Sequence, residues 1–372
     1  MVPSATVDRQ TFEAIRQERV EELTRVRAAG TKLVGYFCIF APVELIAAAG
    51  AIPVRLARGG QAERQAGEKY LRSDACVFCS ACAGRFETDP LYRQMDAVVA
   101  VNTCDMMRRL PEVIEHHFSI PAYQLYMPRM SEPLPHRVAE FRRQLELLAD
   151  QLGALTGKRP EAAGLSEAVA SYNRLRGLLR QADETRRVDN PLLSESALLD
   201  LAATAWLVGP VPAESLIDSV LRIVWARPRP TVKRPRLMLG GSMLAEDDLW
   251  LLDLVESKAD IVTDILCTGT RWFSDDVPAG EPMAALAQHY FGRACMHRRP
   301  NDALYEYARR RAASFRVQGM IYKTLLYCDA WNFEARRLQE ALGLPMLHLD
   351  TDYAHENREQ VRTRVEAFLE ML

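Results

Sequence analysis

Apolar residues fall into two patterns along this chain, and the change from one to the other divides it. Short, nearly unbroken apolar runs of strand length occur at Lys32–Cys38 (KLVGYFC), Ile52–Leu56, Ala97–Val101 (AVVAV) and Tyr123–Tyr126. They return at Arg236–Leu239, Asp260–Ile265, Gly319–Leu326 and Met346–Leu349. Such runs suit strands buried on both faces, as in a parallel sheet. Helical patterns alternate with them: residues 7–29, Pro42–Ala49 (stopped by Gly50), Met106–His117, Ala245–Ser257, Asp302–Ser314, Ala335–Leu342 and Gln360–Met371. Strand–helix–strand alternation is the building block of a parallel sheet. Residues 57–74 are polar and glycine-bearing and read as irregular, and Gly240-Gly241 reads as a turn closing its strand.

Residues 137–227 behave differently. They are charged, with leucines at helical spacing and almost no strand signal, and the Pro-rich Arg227–Pro235 (RPRPTVKRP) closes them off. The expected fold class is therefore α/β, with two parallel-sheet domains of Rossmann or flavodoxin-like type and a helical segment between them. The expected boundaries are 1–130 for the N-terminal α/β domain, 131–230 for the helical connector and 231–372 for the C-terminal α/β domain.

Composition narrows the class. A chain of 372 residues exceeds one ordinary core, and 48% apolar residues are enough to fill several. A formal net charge of -2 gives no basic surplus for nucleic acid. The charged N-terminal stretch does not read as a signal peptide, and no run approaches the length of a membrane span. The expectation is a cytoplasmic protein without a nucleic-acid or membrane partner.

In a reducing compartment the eight cysteines point to metal or redox chemistry and not to disulfides. Cys76, Cys79 and Cys82 form a C-x-x-C-x-x-C run, while Cys38, Cys104, Cys267 and Cys328 follow predicted strands. Strand ends are where α/β proteins build their sites. A single cysteine is as readily a small buried hydrophobe, but eight in this arrangement favour metal. Structural zinc prefers two close ligand pairs, and the second pair is missing; a zinc-stabilised binding protein is the alternative from another class. A thioredoxin-like dithiol at Cys76/Cys79 would leave most of the cysteines unused. An iron–sulfur cluster can draw its thiolates from distant loops, and two facing α/β units would place it in the cleft between them.

Around these cysteines the sequence resembles the 2-hydroxyacyl-CoA dehydratase and benzoyl-CoA reductase family. The resemblance is carried by GYFCIFAPVELIAAAGAIPVRL (35–56), DACVFCSACAGRF (74–86), DAVVAVNTCD (96–105), GGSML (240–244), DILCTGTRWF (264–273), GMIYKTLLYCDAW (319–331) and the C-terminal LHLDTDYAHENREQVRTRVEAFLEML. It runs through both α/β units and is weak in the helical middle. It implies a [4Fe–4S] cluster on Cys76, Cys104 and Cys328 with one iron open to substrate. It further implies an ATP-hydrolysing iron–sulfur activator protein that delivers one low-potential electron, and radical dehydration or reduction of an acyl-CoA. Pairs of similar subunits, homodimeric or with a paralogue, are also implied. The remaining thiols exceed what one such cluster uses. A related branch of the family holds a double-cubane [8Fe–9S] cluster on six cysteines and reduces small molecules. Cys38 and Cys295 are the first candidates for added ligands, then Cys267 or Cys79; Cys82 is as readily a buried spare.

Among other residues, Glu44 opens the helix after the first strand. It is either a carboxylate favoured by the helix N-terminus or a catalytic group that handles a proton near the cluster, as the family's similar Pro-x-Glu-Leu implies. Gly240-Gly241-Ser242 could present amides to an anion or be a tight turn. Asp105 and Asp329 read as helix caps. Arg271 is expected in solvent unless a CoA phosphate meets it, and His116 and His117 are expected on the surface.

Overall fold

The computed structural model describes residues 8–226, 233–245, 248–354 and 356–372. The first part of the chain runs α1 (Arg9–Ala28), β1 (Leu33–Tyr36), α2 (Val43–Ala48), β2 (Ile52–Arg55), α3 (Gln61–Gly67), α4 (Val77–Thr88), α5 (Pro90–Arg93), β3 (Ala97–Val101), α6 (Asp105–Phe118) and β4 (Ala122–Leu125). Four helices follow: α7 (Pro135–Thr156), α8 (Ala162–Glu184), α9 (Glu195–Val208) and α10 (Pro210–Ala226). Alternation then resumes with β5 (Arg236–Gly241), α11 (Leu249–Glu256), β6 (Asp260–Asp264), α12 (Thr270–Phe273), α13 (Pro282–Gly292), α14 (Asp302–Ser314), β7 (Gly319–Leu325), α15 (Asp329–Leu342), β8 (Met346–Thr351) and α16 (Arg358–Glu370).

Both sheets are four-stranded and parallel, with strand orders β2-β1-β3-β4 and β6-β5-β7-β8. The order is the same in each, and it is the flavodoxin-like one. The chain reverses direction across the sheet between β1 and β3, and again between β5 and β7. Ligands bind outside the carboxyl ends of strands at such switch points. The inner strands β1, β3, β5 and β7 are buried throughout, whereas β4 and β8 at the sheet edges are partly exposed. Complete burial is why the inner strands read as continuous apolar runs.

One apolar core joins Val34 and Val99 of the first sheet to Leu175, Leu201 and Ile217 of the central helices and to Met238 and Tyr322 of the second sheet. The helices between the sheets are thus packed against both.

Three local readings change. Residues 61–67 are helical, where the sequence suggested an irregular stretch. Gly240 and Gly241 lie inside β5 and not in a turn; Gly241 takes φ 112°, and a Cβ there would meet the Lys323 carbonyl oxygen at 2.0 Å. Glycine is what lets β5 run so close to β7. The expected boundary Arg227–Pro235 lies largely outside the described residues, as does part of the predicted 245–257 helix.

Candidate active site at the facing sheet edges

Cys38 follows β1, Cys104 follows β3, Cys267 follows β6 and Cys328 follows β7, so all four emerge at the carboxyl edges of the sheets. The two edges meet. The Val77 amide donates to the Leu326 carbonyl at 3.4 Å, which brings the start of α4 onto the loop after β7. Arg55 at the end of β2 donates to the Cys267 carbonyl at 2.9 Å. Arg64 of α3 pairs with Asp352 at 2.6 Å.

The thiols gather into two adjoining groups. Cys76, Cys79, Cys104 and Cys328 form the first, with Cys76 hydrogen-bonded to both Cys328 and Cys79. Cys38, Cys267 and Cys295 form the second. Cys38 and Cys104, one from each group, feel each other's charge and so join the two. Cys82 sits to one side, buried against Tyr92, Arg85 and Tyr353. All eight cysteines are free thiols.

Three members of the first group share a local design. Cys76, Cys104 and Cys328 each occupy the N-cap position of a helix, of α4, α6 and α15 respectively. The Cys104 sulfur accepts the Met107 amide at 3.4 Å. This corrects the expectation that Asp105 and Asp329 are the caps; each is instead the first residue of its helix. Helix N-termini favour thiolate through the macrodipole and unpaired amides. Cys328 is aimed by a strained turn: its amide returns to the Leu325 carbonyl at 2.9 Å, and Tyr327 between them has φ 63°, rare for a bulky side chain.

Burial and crowding work against ionisation. Burial pushes Cys104 up to about 12, with Cys328 and Cys38 adding to the rise against the Met107 and Met106 amides. Burial likewise raises Cys38 to about 12, helped by Cys295 and Cys267 and opposed by the Phe40 amide and Arg55. The hydrogen bond from Cys76 pulls Cys79 down, yet burial and the Cys104, Cys82 and Cys328 thiols carry it up to about 11. For Cys76 the bond with Cys328 favours the thiolate but is outweighed by Cys79 and burial; Cys328 is raised by its bond to Cys76 and by burial. A cationic centre between such thiols would reverse the penalty, because coordination deprotonates them.

Buried polar groups hold the loops that carry the thiols, and one of them, Arg271, was expected in solvent. Arg271 is buried, not in solvent: it donates to the Ile265 carbonyl at 2.8 Å and the Ala294 carbonyl at 3.0 Å, and it bonds Cys295. It thereby ties the Cys267 loop to the Cys295 loop. Asp264 accepts the Leu266 amide at 2.8 Å and the Thr270 amide at 2.9 Å, closing the Cys267 loop on itself. Ser242 faces Cys328 and accepts the Leu325 amide at 3.2 Å. The Asp264 and Ser242 contacts had no sequence signal beyond their strand-end positions. Among the described residues no three His, Cys, Asp or Glu side chains converge on a single metal ion. His116 and His117 are exposed, as expected.

Glu44 is fully buried and away from solvent. One oxygen pairs with Arg176 of α8, and the other accepts the Tyr290 hydroxyl at 2.7 Å. Burial raises its pKa, but Arg176 and Tyr290 more than offset this and hold the carboxyl below its usual value.

The family model described as "2-hydroxyglutaryl-CoA dehydratase, D-component" matches residues 38–372. The chain is 25% identical to "Putative dehydratase subunit YjiM" of Escherichia coli (strain K12), over 97% of each chain. It is 22% identical to the (R)-phenyllactyl-CoA dehydratase beta subunit of Clostridium sporogenes, over 94% of each. It is 23% identical to the lactoyl-CoA dehydratase subunit beta of Anaerotignum propionicum, over 92% of each.

Proposed function

The chain belongs to the 2-hydroxyglutaryl-CoA dehydratase D-component family, as a dehydratase-like enzyme, and from that premise we propose that it is the iron–sulfur component of an ATP-dependent, low-potential one-electron reductase. Its cofactor on this reading is the double-cubane [8Fe–9S] cluster, held by Cys76, Cys104 and Cys328 on one side and by Cys38, Cys267 and Cys295 on the other, and its substrate is a small molecule. The observation that carries the reading is the second thiol group. A single [4Fe–4S] cluster accounts for Cys76, Cys104 and Cys328 and leaves Cys38, which lies near enough to Cys267 and Cys295 to feel their charge, outside it together with those two thiols.

The donor set supports iron–sulfur chemistry: both groups are thiol throughout, and they come from loops far apart in sequence. Once bound, such a cluster supplies low-potential electrons one at a time. The protein's own share is placement and environment. Three helix N-termini face the first group and favour its thiolates. Arg271 places a buried positive charge beside Cys267 and Cys295. Cys76 and Cys295 are buried, and Cys38, Cys104, Cys267 and Cys328 are partly so. An ATP-hydrolysing activator protein is the proposed electron donor. The three relatives are all named as subunits, which supports a companion subunit here, either a second copy or a paralogue.

Anaerobic purification with iron and sulfide analysis tests the reading: about eight irons per chain are expected, and about four would reduce it to the single-cluster form. Colourless protein without iron after anaerobic reconstitution would defeat both. A second reading, dehydration of a 2-hydroxyacyl-CoA, is favoured by the names of two relatives, which act on phenyllactyl-CoA and lactoyl-CoA. Turnover of 2-hydroxyacyl-CoA thioesters in the presence of the activator separates it from reduction of small molecules.

A further inference from the structure

The two thiol groups differ in the charge that surrounds them. Three arginines, Arg55, Arg271 and Arg298, close on Cys38, Cys267 and Cys295, and each is more than nine-tenths buried. Arg55 donates to the Cys267 carbonyl at 2.9 Å, and its charge reaches Cys38. Arg271 bonds the Cys295 side chain, and its charge reaches Cys267. The Arg298 amide donates to the Cys295 carbonyl at 3.0 Å, and its guanidinium charge reaches the Cys295 thiol.

None of the three is neutralised. Their guanidinium groups donate to the backbone carbonyls of Cys267, Ile265, Ala294 and Pro128. Among the described residues none of them forms an ion pair with a carboxylate. Arg55 Nε and Nη1, and Arg298 Nε and Nη2, have no hydrogen-bond partner at all. Asp264, the carboxylate of the Cys267 loop, is turned to Arg186 at 3.6 Å. Elsewhere in the interior Arg176 meets Glu44, Arg186 meets Glu195 and Lys323 meets Asp248. A buried cation without a counter-ion is costly, and three around one group of thiols call for negative charge at that place. The first group has no such ring: Cys76, Cys79 and Cys104 are governed by burial, by one another and by Cys328.

We propose that Arg55, Arg271 and Arg298 are positioning residues for an anionic, thiolate-held centre on Cys38, Cys267 and Cys295, and that their charge gives this side of the site the higher reduction potential. The inference rests on the iron–sulfur reading above and adds an inequality between the two halves that the reading leaves open. Two effects act in one direction. Metal coordination deprotonates the thiols and so places negative charge where the arginines stand. Net charge and hydrogen bonds to sulfur set the potential of thiolate-held iron, and nearby positive charge raises it.

Iron analysis and EPR-monitored redox titration of the full chain, purified anaerobically, test this. Arg298→Met and Arg55→Met are set against Arg298→Lys and Arg55→Lys. Arg298 gives the cleaner variant, because its side chain donates to the Pro128 carbonyl and to nothing else among the described residues. Each Met variant should either drop from about eight irons per chain towards about four, or keep its iron with the higher potential lowered. The lowering expected is at least about tenfold in the reduction equilibrium, which is about 59 mV for one electron. The Lys variants keep the charge and should restore the iron and most of the potential. An unchanged potential with iron intact, or Lys variants as impaired as the Met ones, would overturn the proposal and assign the arginines to packing. If one Met variant does not fold, as far-UV circular dichroism would show, the other carries the test. Wild-type protein with about four irons would defeat the double-cubane reading and this inference with it. Eight irons with a potential indifferent to the arginines would defeat the inference alone.

Discussion

At the scale of single residues, Glu44 is where chemistry and architecture are hardest to tell apart by type alone. Its carboxylate is saturated by Arg176 and Tyr290. Glu44→Gln removes the charge and leaves Arg176 buried without its counter-ion, a change that costs about 3–5 kcal/mol in buried pairs. Denaturant unfolding at neutral pH should show that loss. The pH dependence has a definite sign. The folded-state pKa lies below the ordinary value of 4.5, so the stabilisation is complete above that value and fades as pH falls through the lower folded one. The gap between wild type and Glu44→Gln should therefore narrow on acidification. A variant with unchanged stability and lost turnover would instead assign Glu44 the proton-handling role that its family-like position suggested. The cysteines divide more sharply. Cys38→Ser, Cys267→Ser or Cys295→Ser should each lower bound iron from about eight towards about four, whereas Cys82→Ser should leave it unchanged. Iron analysis after anaerobic purification reads this directly. The cysteines and their strand-end positions were legible in the sequence because thiols are few and apolar runs mark strands. Arg271 was not, since nothing in its neighbours says that its loop folds under a second one.

Among the secondary-structure elements, α3 and α4 show what the sequence pattern hides. Glycines in residues 57–74 read as breakers, yet Gly67 ends a helix, and its role is close approach. A Cβ on Gly67 would meet the Ser80 carbonyl oxygen at 1.8 Å, and one on Gly84 would meet the Glu63 carbonyl oxygen at the same distance. The two helices touch backbone to backbone, and that contact sets the position of α4, whose first turn carries Cys76 and Cys79. Periodicity cannot reveal such a contact, because it depends on a missing side chain and not on a present one. Gly84→Ala should push α3 and α4 apart, at the cost of about 1–3 kcal/mol typical of overpacking. It should also loosen iron held at Cys76. Chemical denaturation and iron retention after desalting check the two effects separately. Strands β3 and β7, by contrast, were legible almost to the residue, since full burial leaves no polar position to blur their ends, whereas β5 runs on through Gly240 and Gly241, which read as a turn.

For the molecule as a whole, the central helices act as a frame that fixes both sheet edges at once. Arg176 of α8 reaches Glu44 in the first part of the chain, while Tyr290 of α13 completes the same pair from the last part. Just beyond α8, Arg186 is fully buried among Glu195, Asp183 and Asp264, with Arg311 closing on Asp183 at 2.6 Å. Asp264 is also the residue whose carboxylate holds the Cys267 loop. The frame and the second thiol group therefore share an anchor. Removing Arg186 alone, as Arg186→Met, leaves Glu195 and Asp264 buried beside each other without their cation and should cost about 3–5 kcal/mol. Pairing it with Glu195→Leu removes one of the stranded carboxyl groups, which burial already disfavours as a carboxylate, so the double variant should recover part of that loss, and the difference measures the coupling. Iron distinguishes this from general instability. If Asp264 transmits the change, Arg186→Met should lose iron first from the Cys38, Cys267 and Cys295 side. The content should then settle near about four per chain, held by Cys76, Cys104 and Cys328, before it falls to none. A uniform loss of all iron in step with unfolding would show instead that the frame supports the site only through global stability.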